Sequence, residues 1–292
     1  MEVLSFPTSI VEIQKWCRQN NLKPYEGRQR YAEYAILSCI ASDNDLSKVL
    51  VLKGGNALRF FFNSPRSTLD LDFSIDAGNF TDNESFMRET LDAALRRVEY
   101  HFGIKTRCQS VKRNPTREGT TRPTYEITIR YLYPDDRYYH NFDEQKNIPT
   151  VIHVEISLFD KVCESISFAL SSHSRGRLRV CNLEDIIAEK LRALLQQPMR
   201  NRNRGQDVYD IALMSRKNKS NLNYVKICKY LQDKSEIRDV VAKYSAFNAD
   251  VEKRAAYEYD TRIREQTGKD FIPFNEAWAI VLDLVRELNL PD

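Results

Sequence analysis

Apolar and polar positions recur along this chain with two different periods, and the place where one period gives way to the other divides it. In the first part, runs that read as strands alternate with helical stripes. Residues 49–52 are continuously apolar and stop at Gly54-Gly55, after which Ala57, Leu58 and Phe61 return at helical spacing, predicting a strand, a glycine turn and a helix. Residues 69–75 read as a strand with Leu71 and Phe73 on one side and Asp70 and Asp72 on the other. Two further strands are expected over 104–111 and 125–133, the second with Tyr125, Ile127, Ile129 and Tyr131 on one face. In 151–158 the alternation sets Ile152, Val154 and Ile156 against His153, Glu155 and Ser157. Helices are expected after Pro7-Thr8-Ser9, where Ile10, Ile13, Trp16 and Cys17 recur, over 28–42, and after the capping box Thr81-Asp82-Asn83-Glu84. The last of these carries the stripe Phe86, Leu91, Ala94, Leu95, Val98 and Phe102 and should end near Gly103. The polar link 112–122 reads as a hairpin loop and 134–149 as an exposed insertion.

From Cys181 onward only helical signals remain. Asn182 is placed to cap a helix with Asp185 in its first turn, and Leu183, Ile186, Ile187, Leu191 and Leu194 fall on one arc. Lys190 lies inside that apolar arc. Either its ammonium snorkels to water, or it lines a cleft where a carboxylate or phosphate holds its charge. The next helix, over 204–214, offers acids for the purpose, because Asp207 and Asp210 share a face with Ile211 and Met214. Between the two helices Arg200, Arg202 and Arg204 alternate with asparagines, a loop that is either a solvated basic stretch or a phosphate contact. The expected fold is therefore α/β (α+β), a mixed-sheet domain over 1–180 followed by a helical domain over 181–292 that closes a cleft.

Charge and chemistry sharpen the first part more than the second. Lysine plus arginine (44) exceed aspartate plus glutamate (41) by only three, so net charge names no nucleic-acid partner. Lys112, Arg113, Arg117 and Arg122 form a local cluster that is either an RNA contact or a solvated loop. The six cysteines are scattered without a Cys-x-x-Cys pair, which argues against a zinc site and for reduced thiols. No cationic segment followed by an apolar run reads as a signal peptide, and no apolar stretch is long enough to span a bilayer, so a soluble, cytoplasmic protein is expected. Two carboxylates side by side on a packed strand repel each other, and Mg²⁺ with oxygen ligands and phosphate is the fitting compensation for Asp70 and Asp72. Glycines such as Gly54 and Gly55 let backbone N–H groups approach a phosphate at a helix start.

The pattern Gly54-Gly55-x-x-Leu58-Arg59, a gap, then Arg66-x-Thr68-x-Asp70-Leu71-Asp72-Phe73 resembles the AbiEii/MenT nucleotidyltransferase toxins of the DNA polymerase β-like superfamily. The resemblance extends over 53–210. It implies Asp70 and Asp72 as metal-holding catalytic residues and Glu155 as the third acid from a neighbouring strand, against the plainer reading of Glu155 as an edge glutamate facing water. It further implies Lys190 and Asp207 as catalytic residues, and Lys53, Gly54, Gly55, Arg66, Thr68 and Arg204 as contacts to the nucleotide. The family's arginine just before the acid of its second motif is replaced here by Gln206, with Arg204 or Arg202 as the available substitutes. The function implied is Mg²⁺-dependent transfer from CTP or another nucleoside triphosphate to an RNA acceptor, a transfer RNA 3′ end, with a cognate antitoxin as partner. The alternative is an inactive nucleotide- or RNA-binding protein that acts through a partner.

Overall fold

Seven strands form one mixed sheet: β1 (Leu50–Lys53), β2 (Asp70–Ile75), β3 (Lys105–Asn114), β4 (Thr124–Leu132), β5 (Val151–Ser157), β6 (Ser165–Ala169) and β7 (Arg177–Cys181). Their order is β3-β4-β5-β2-β1-β7-β6. The computed structural model describes residues 6–66, 68–76, 80, 82–115, 123–170 and 176–291. β1 runs antiparallel to β2 and parallel to β7, while β5 runs parallel to β2 and antiparallel to β4. The chain forms two compact units, one of 1–56, 69–160 and 166–180, the other of 57–68, 161–165 and 181–292.

In the first unit the strand alternation becomes rows across the sheet. Tyr125, Ile156, Phe73, Leu52 and Val180 stand in register on consecutive strands and are all buried. Burial of that row fixes the pairing, because a slip of one residue would turn every one of these side chains to the other face. The helix Glu84–Phe102 packs on β3, and the helix Pro24–Ala41 packs in turn on Glu84–Phe102. Gly103 ends the Glu84–Phe102 helix in the left-handed conformation expected of a glycine there.

Several local readings differ from the structure. The helix Pro24–Ala41 starts four residues before the expected Arg28, since proline suits a first helical position and Glu26 accepts the Lys23 N–H at 2.7 Å. At the helix Glu84–Phe102 the cap is Asn83, whose side chain accepts the Phe86 N–H at 3.0 Å. Thr81 lies outside the described residues, and Asp82 binds Arg113 and the Tyr125 hydroxyl instead. The expected loop over 112–122 starts later than its polarity suggests, because β3 continues to Asn114; Arg117 and Arg122 lie outside the described residues. The segment 134–149 is not wholly exposed: Phe142 and Ile148 are buried with Leu132, and Tyr139 packs against them. β6 and β7 are not among the strands expected from the sequence: each is only five residues long, with two apolar residues alternating with serines in β6 and with arginines in β7.

The second unit is mainly helical: 57–61 belong to the helix Gly54–Phe61, and its other helices lie within 181–292. The helix Leu183–Leu195 is capped by Asn182, which accepts the Asp185 N–H at 2.8 Å, and packs on Gly205–Asn218 and Tyr224–Ile237. Gly205–Asn218 packs also on Phe274–Glu287. None of the described helices is long and apolar enough to cross a membrane.

Candidate active site

The polar face of the first unit carries its chemistry. Lys112, Glu126, Glu155, Asp72 and Lys53 form a row of register partners on β3, β4, β5, β2 and β1. Asp70 and His153 form the neighbouring pair. Together with Ser110 and Thr128 these residues, apart from Lys53, line a concavity of about 470 Å³. Among the described residues that line it there are four carboxylates and one lysine, a surplus of negative charge that favours a cation at this surface.

β1 delivers the chain into this face through Gly54, which has φ +71° and begins the helix Gly54–Phe61 directly, without the separate turn expected. Glycine is needed there on two grounds. The backbone is left-handed, and a Cβ would lie 2.2 Å from Oδ2 of Asp72. The main chain thus closes on the Asp72 carboxylate and leaves room beside it that a side chain would fill. Lys53 forms an ion pair with Asp160 at 2.5 Å, both largely buried. Asp160 is set by the turn after β5, where the Ser157 hydroxyl accepts the N–H groups of Phe159 and Asp160. Glu155 and His153 are exposed on β5.

Among the described residues no three His, Cys, Asp or Glu side chains converge in the manner of a closed metal cage. Mg²⁺ does not require one, because it commonly takes one or two carboxylates and fills its remaining positions with phosphate oxygens and water. Asp70 and Asp72, on one face beside a glycine that leaves the approach open, fit that donor set.

In the second unit a different cluster gathers the other candidates. Arg66 is buried and donates in a fork to Asp210, Nε to Oδ1 at 2.8 Å and Nη2 to Oδ2 at 2.7 Å. Lys190, also buried, lies 2.6 Å from Asp207 and 2.8 Å from Asp210. The sequence asked for one partner for Lys190, and the fold supplies two. Burial pulls the Lys190 ammonium down, but Asp207 and Asp210 outweigh it and raise it above the ordinary lysine value. Burial likewise pushes the Asp210 carboxyl up, and Arg66 and Lys190 outweigh that, so it is held below the usual carboxylate range. Arg66 and Lys190 thus compensate Asp207 and Asp210 inside the protein. Arg204 stands 3.8 Å from Asp207, whereas Gln206 and Arg202 are exposed. Thr68, half-buried, ends the segment 57–68 that holds Arg66.

Sequence reasoning missed Glu126 and Asp160 as members of the polar face, and Asn56, described below. Glu126 and Lys112 obey the strand alternation, but only the register brings them beside Glu155 and Asp72.

The profile of the family described as nucleotidyl transferase AbiEii toxin, type IV toxin–antitoxin system, matches residues 35–279. The chain belongs to this family. Its fold is shared with three solved structures at low identity. MenT4, a nucleotidyltransferase toxin from Mycobacterium tuberculosis H37Rv, superposes with a TM-score of 0.53 at 16% identity, over 96% of this chain and 90% of that one. A structure named as a putative nucleotidyltransferase from Helicobacter pylori gives 0.52 at 15%, over 91% and 96%. JHP933 from Helicobacter pylori gives 0.51 at 14%, over 89% and 90%. No curated protein sequence matches the chain. The AbiEii profile covers both the carboxylate face and the buried cluster, so both belong to the family's domain.

Proposed function

We propose that this AbiEii-family protein is a Mg²⁺-dependent nucleotidyltransferase that moves a nucleoside monophosphate from a nucleoside triphosphate, CTP or another, to the 3′ hydroxyl of an RNA, a transfer RNA in particular. The observation that carries the reading is the placement of Asp70, Asp72 and Glu155 on adjoining strands beside one concavity, with Gly54 packed against Asp72.

Asp70 and Asp72 would hold the metal, which supplies charge neutralisation on the phosphates as the bond to pyrophosphate breaks. Glu155 lies next to Asp72 in register and is exposed, a position from which it accepts the proton of the acceptor hydroxyl. The acceptor oxygen bonds to the α-phosphorus, that atom's bond to the β-phosphate oxygen breaks, and pyrophosphate leaves with the electron pair. Gly54 and Gly55 open a helix, and their N–H groups suit the phosphates. Lys53 contributes positive charge at the end of β1, with Asp160 holding its ammonium.

Lys190, Asp207 and Arg66 take a supporting part in this reading. Asp210 grips Arg66, Lys190 grips Asp210, and Arg66 precedes Asp70 by four residues in the chain. The cluster thereby holds Arg66 and with it the segment 57–68, and Arg204, 3.8 Å from Asp207, has a guanidinium suited to phosphate. In a cell the activity would be restrained by a cognate antitoxin and would act on cytoplasmic RNA.

Incubation with each labelled nucleoside triphosphate and total RNA tests the reading. Label should enter RNA only with divalent metal, and the Asp70→Asn, Asp72→Asn double variant should transfer none. Tight nucleotide or RNA binding without any transfer would instead favour an inactive binding protein.

A further inference from the structure

Asp70 lies outside the ladder between β1 and β2. The pairs run from Leu50 with Ile75 to Lys53 with Asp72, so Asp70 is two residues beyond the last β1 partner, although β5 still pairs it with His153. Its main-chain carbonyl accepts a hydrogen bond from Nδ2 of Asn56 at 2.7 Å. Asn56 is wholly buried in the first turn of the helix Gly54–Phe61. Its Oδ1 accepts from Arg30 at 3.0 Å, and Arg30 pairs with Glu33 at 2.6 Å. Arg30 and Glu33 are both buried on the helix Pro24–Ala41.

The amide is thus oriented from both ends. Arg30 can only donate, which fixes the oxygen of Asn56 toward it and the NH₂ toward Asp70. We infer that Asn56 is a positioning residue, standing in for the missing strand partner so that the Asp70 carboxylate keeps its place beside Asp72 for the metal. This rests on the metal-binding reading above. Two residues in the first turn of the helix Gly54–Phe61 then act on the two acids separately: Gly54 makes room for Asp72, and Asn56 holds Asp70. Supports of this kind behind a metal ligand are worth about 10–100-fold in affinity.

The test is a Mn²⁺ titration followed by electron paramagnetic resonance, with a non-hydrolysable nucleoside triphosphate present, on wild type, Asn56→Asp, Asp70→Asn and the double variant. Asn56→Asp keeps an acceptor for Arg30 and removes the donor to Asp70. It should weaken Mn²⁺ binding about tenfold, and in the Asp70→Asn background it should add no further loss. Hydrogen exchange across 69–72 should rise in Asn56→Asp while β3 and β4 stay protected. Asn56→Ser, which breaks the bridge without adding charge, gives the same reading if the aspartate variant does not fold. Full Mn²⁺ affinity in a folded Asn56 variant, with Asp70→Asn impaired, overturns this inference alone, as do independent losses that multiply in the double variant. Full affinity in Asp70→Asn overturns the metal reading and this inference with it.

Discussion

Asp70, Asp72, Glu126 and Glu155 stand beside an open concavity on a sheet face, whereas Asp207 and Asp210 lie on a buried helix face between Arg66 and Lys190. Both sets place acids next to an apolar core, yet they differ in how their charge is met. The buried acids are compensated within the chain by Arg66 and Lys190, with Arg204 3.8 Å from Asp207, and Asp210 is fully enclosed. Among the described residues that line the sheet face, four carboxylates stand with one lysine where solvent and ligand can enter. The difference is one of access: the buried acids meet their cations inside the protein, so losing one leaves a buried charge uncompensated, whereas the acids on the sheet face stand where a cation from solution can reach them.

The sharpest break of the comparison is at Asp72. Asp72→Asn should lower nucleotide transfer about 10²-fold or more, the usual scale for losing a group that stabilises transition-state charge, while costing less stability than any change in the buried set. Pyrophosphate release and a denaturant melt on the same preparation read both quantities. Comparable activity in this variant would remove Asp72 from the chemistry.

Asp210→Asn should show the opposite balance. It leaves Arg66 and Lys190 in a buried site without their shared acid, a loss of about 3–5 kcal/mol for breaking a buried pair. Urea unfolding measures it, and a loss under about 1 kcal/mol would mean that the cluster is solvated. pH sharpens the same point. The Asp210 carboxyl is lowered on folding, so its contribution is complete above the unfolded value of about 3.9 and disappears as pH falls through the lower folded value. Lys190 is raised, so its contribution is complete below the unfolded value of about 10.4 and disappears as pH rises through the higher folded value. The wild type should therefore be destabilised in acid more steeply than Asp210→Asn.

Gly54→Ala lies between the two cases, because it strains a left-handed backbone and pushes on the Asp72 carboxylate. A cost of about 1–3 kcal/mol is expected, together with weakened metal binding, both readable by thermal melts with and without Mg²⁺ and nucleotide. A melt unchanged from wild type would show that the turn yields freely. The smallest effect belongs to Arg216→Ala, which removes the exposed pair with Glu276 at 2.5 Å. Its cost should fall within about 1 kcal/mol, and a larger loss in urea unfolding would blur the distinction between buried and exposed pairs.

Local periodicity was enough to read β1, β2, β4 and β5, the helix cap at Asn182, the shared face of Asp70 and Asp72, and the need of Lys190 for a partner. Each of these is decided by residues within a few positions of one another, where strand and helix geometry leave little choice. The sequence alone also carried the family resemblance, through the glycine pair and the Asp-Leu-Asp strand. What lay beyond it were relations between distant positions. Arg66 meets Asp210 across 144 residues, Glu126 meets Glu155 only through strand register, and Phe142 is buried by packing that its polar neighbours conceal. Asn56 reads as an ordinary helix-start residue until β2 is seen to outrun its β1 partner by two residues. β6 and β7 alternate over only five residues each, too few to announce a strand, and it is pairing, β7 on β1 and β6 on β7, that makes them part of the sheet. Sequence period determines which face a side chain takes; only the closed tertiary structure decides which charge from elsewhere in the chain will stand opposite it, because that depends on long-range packing and register.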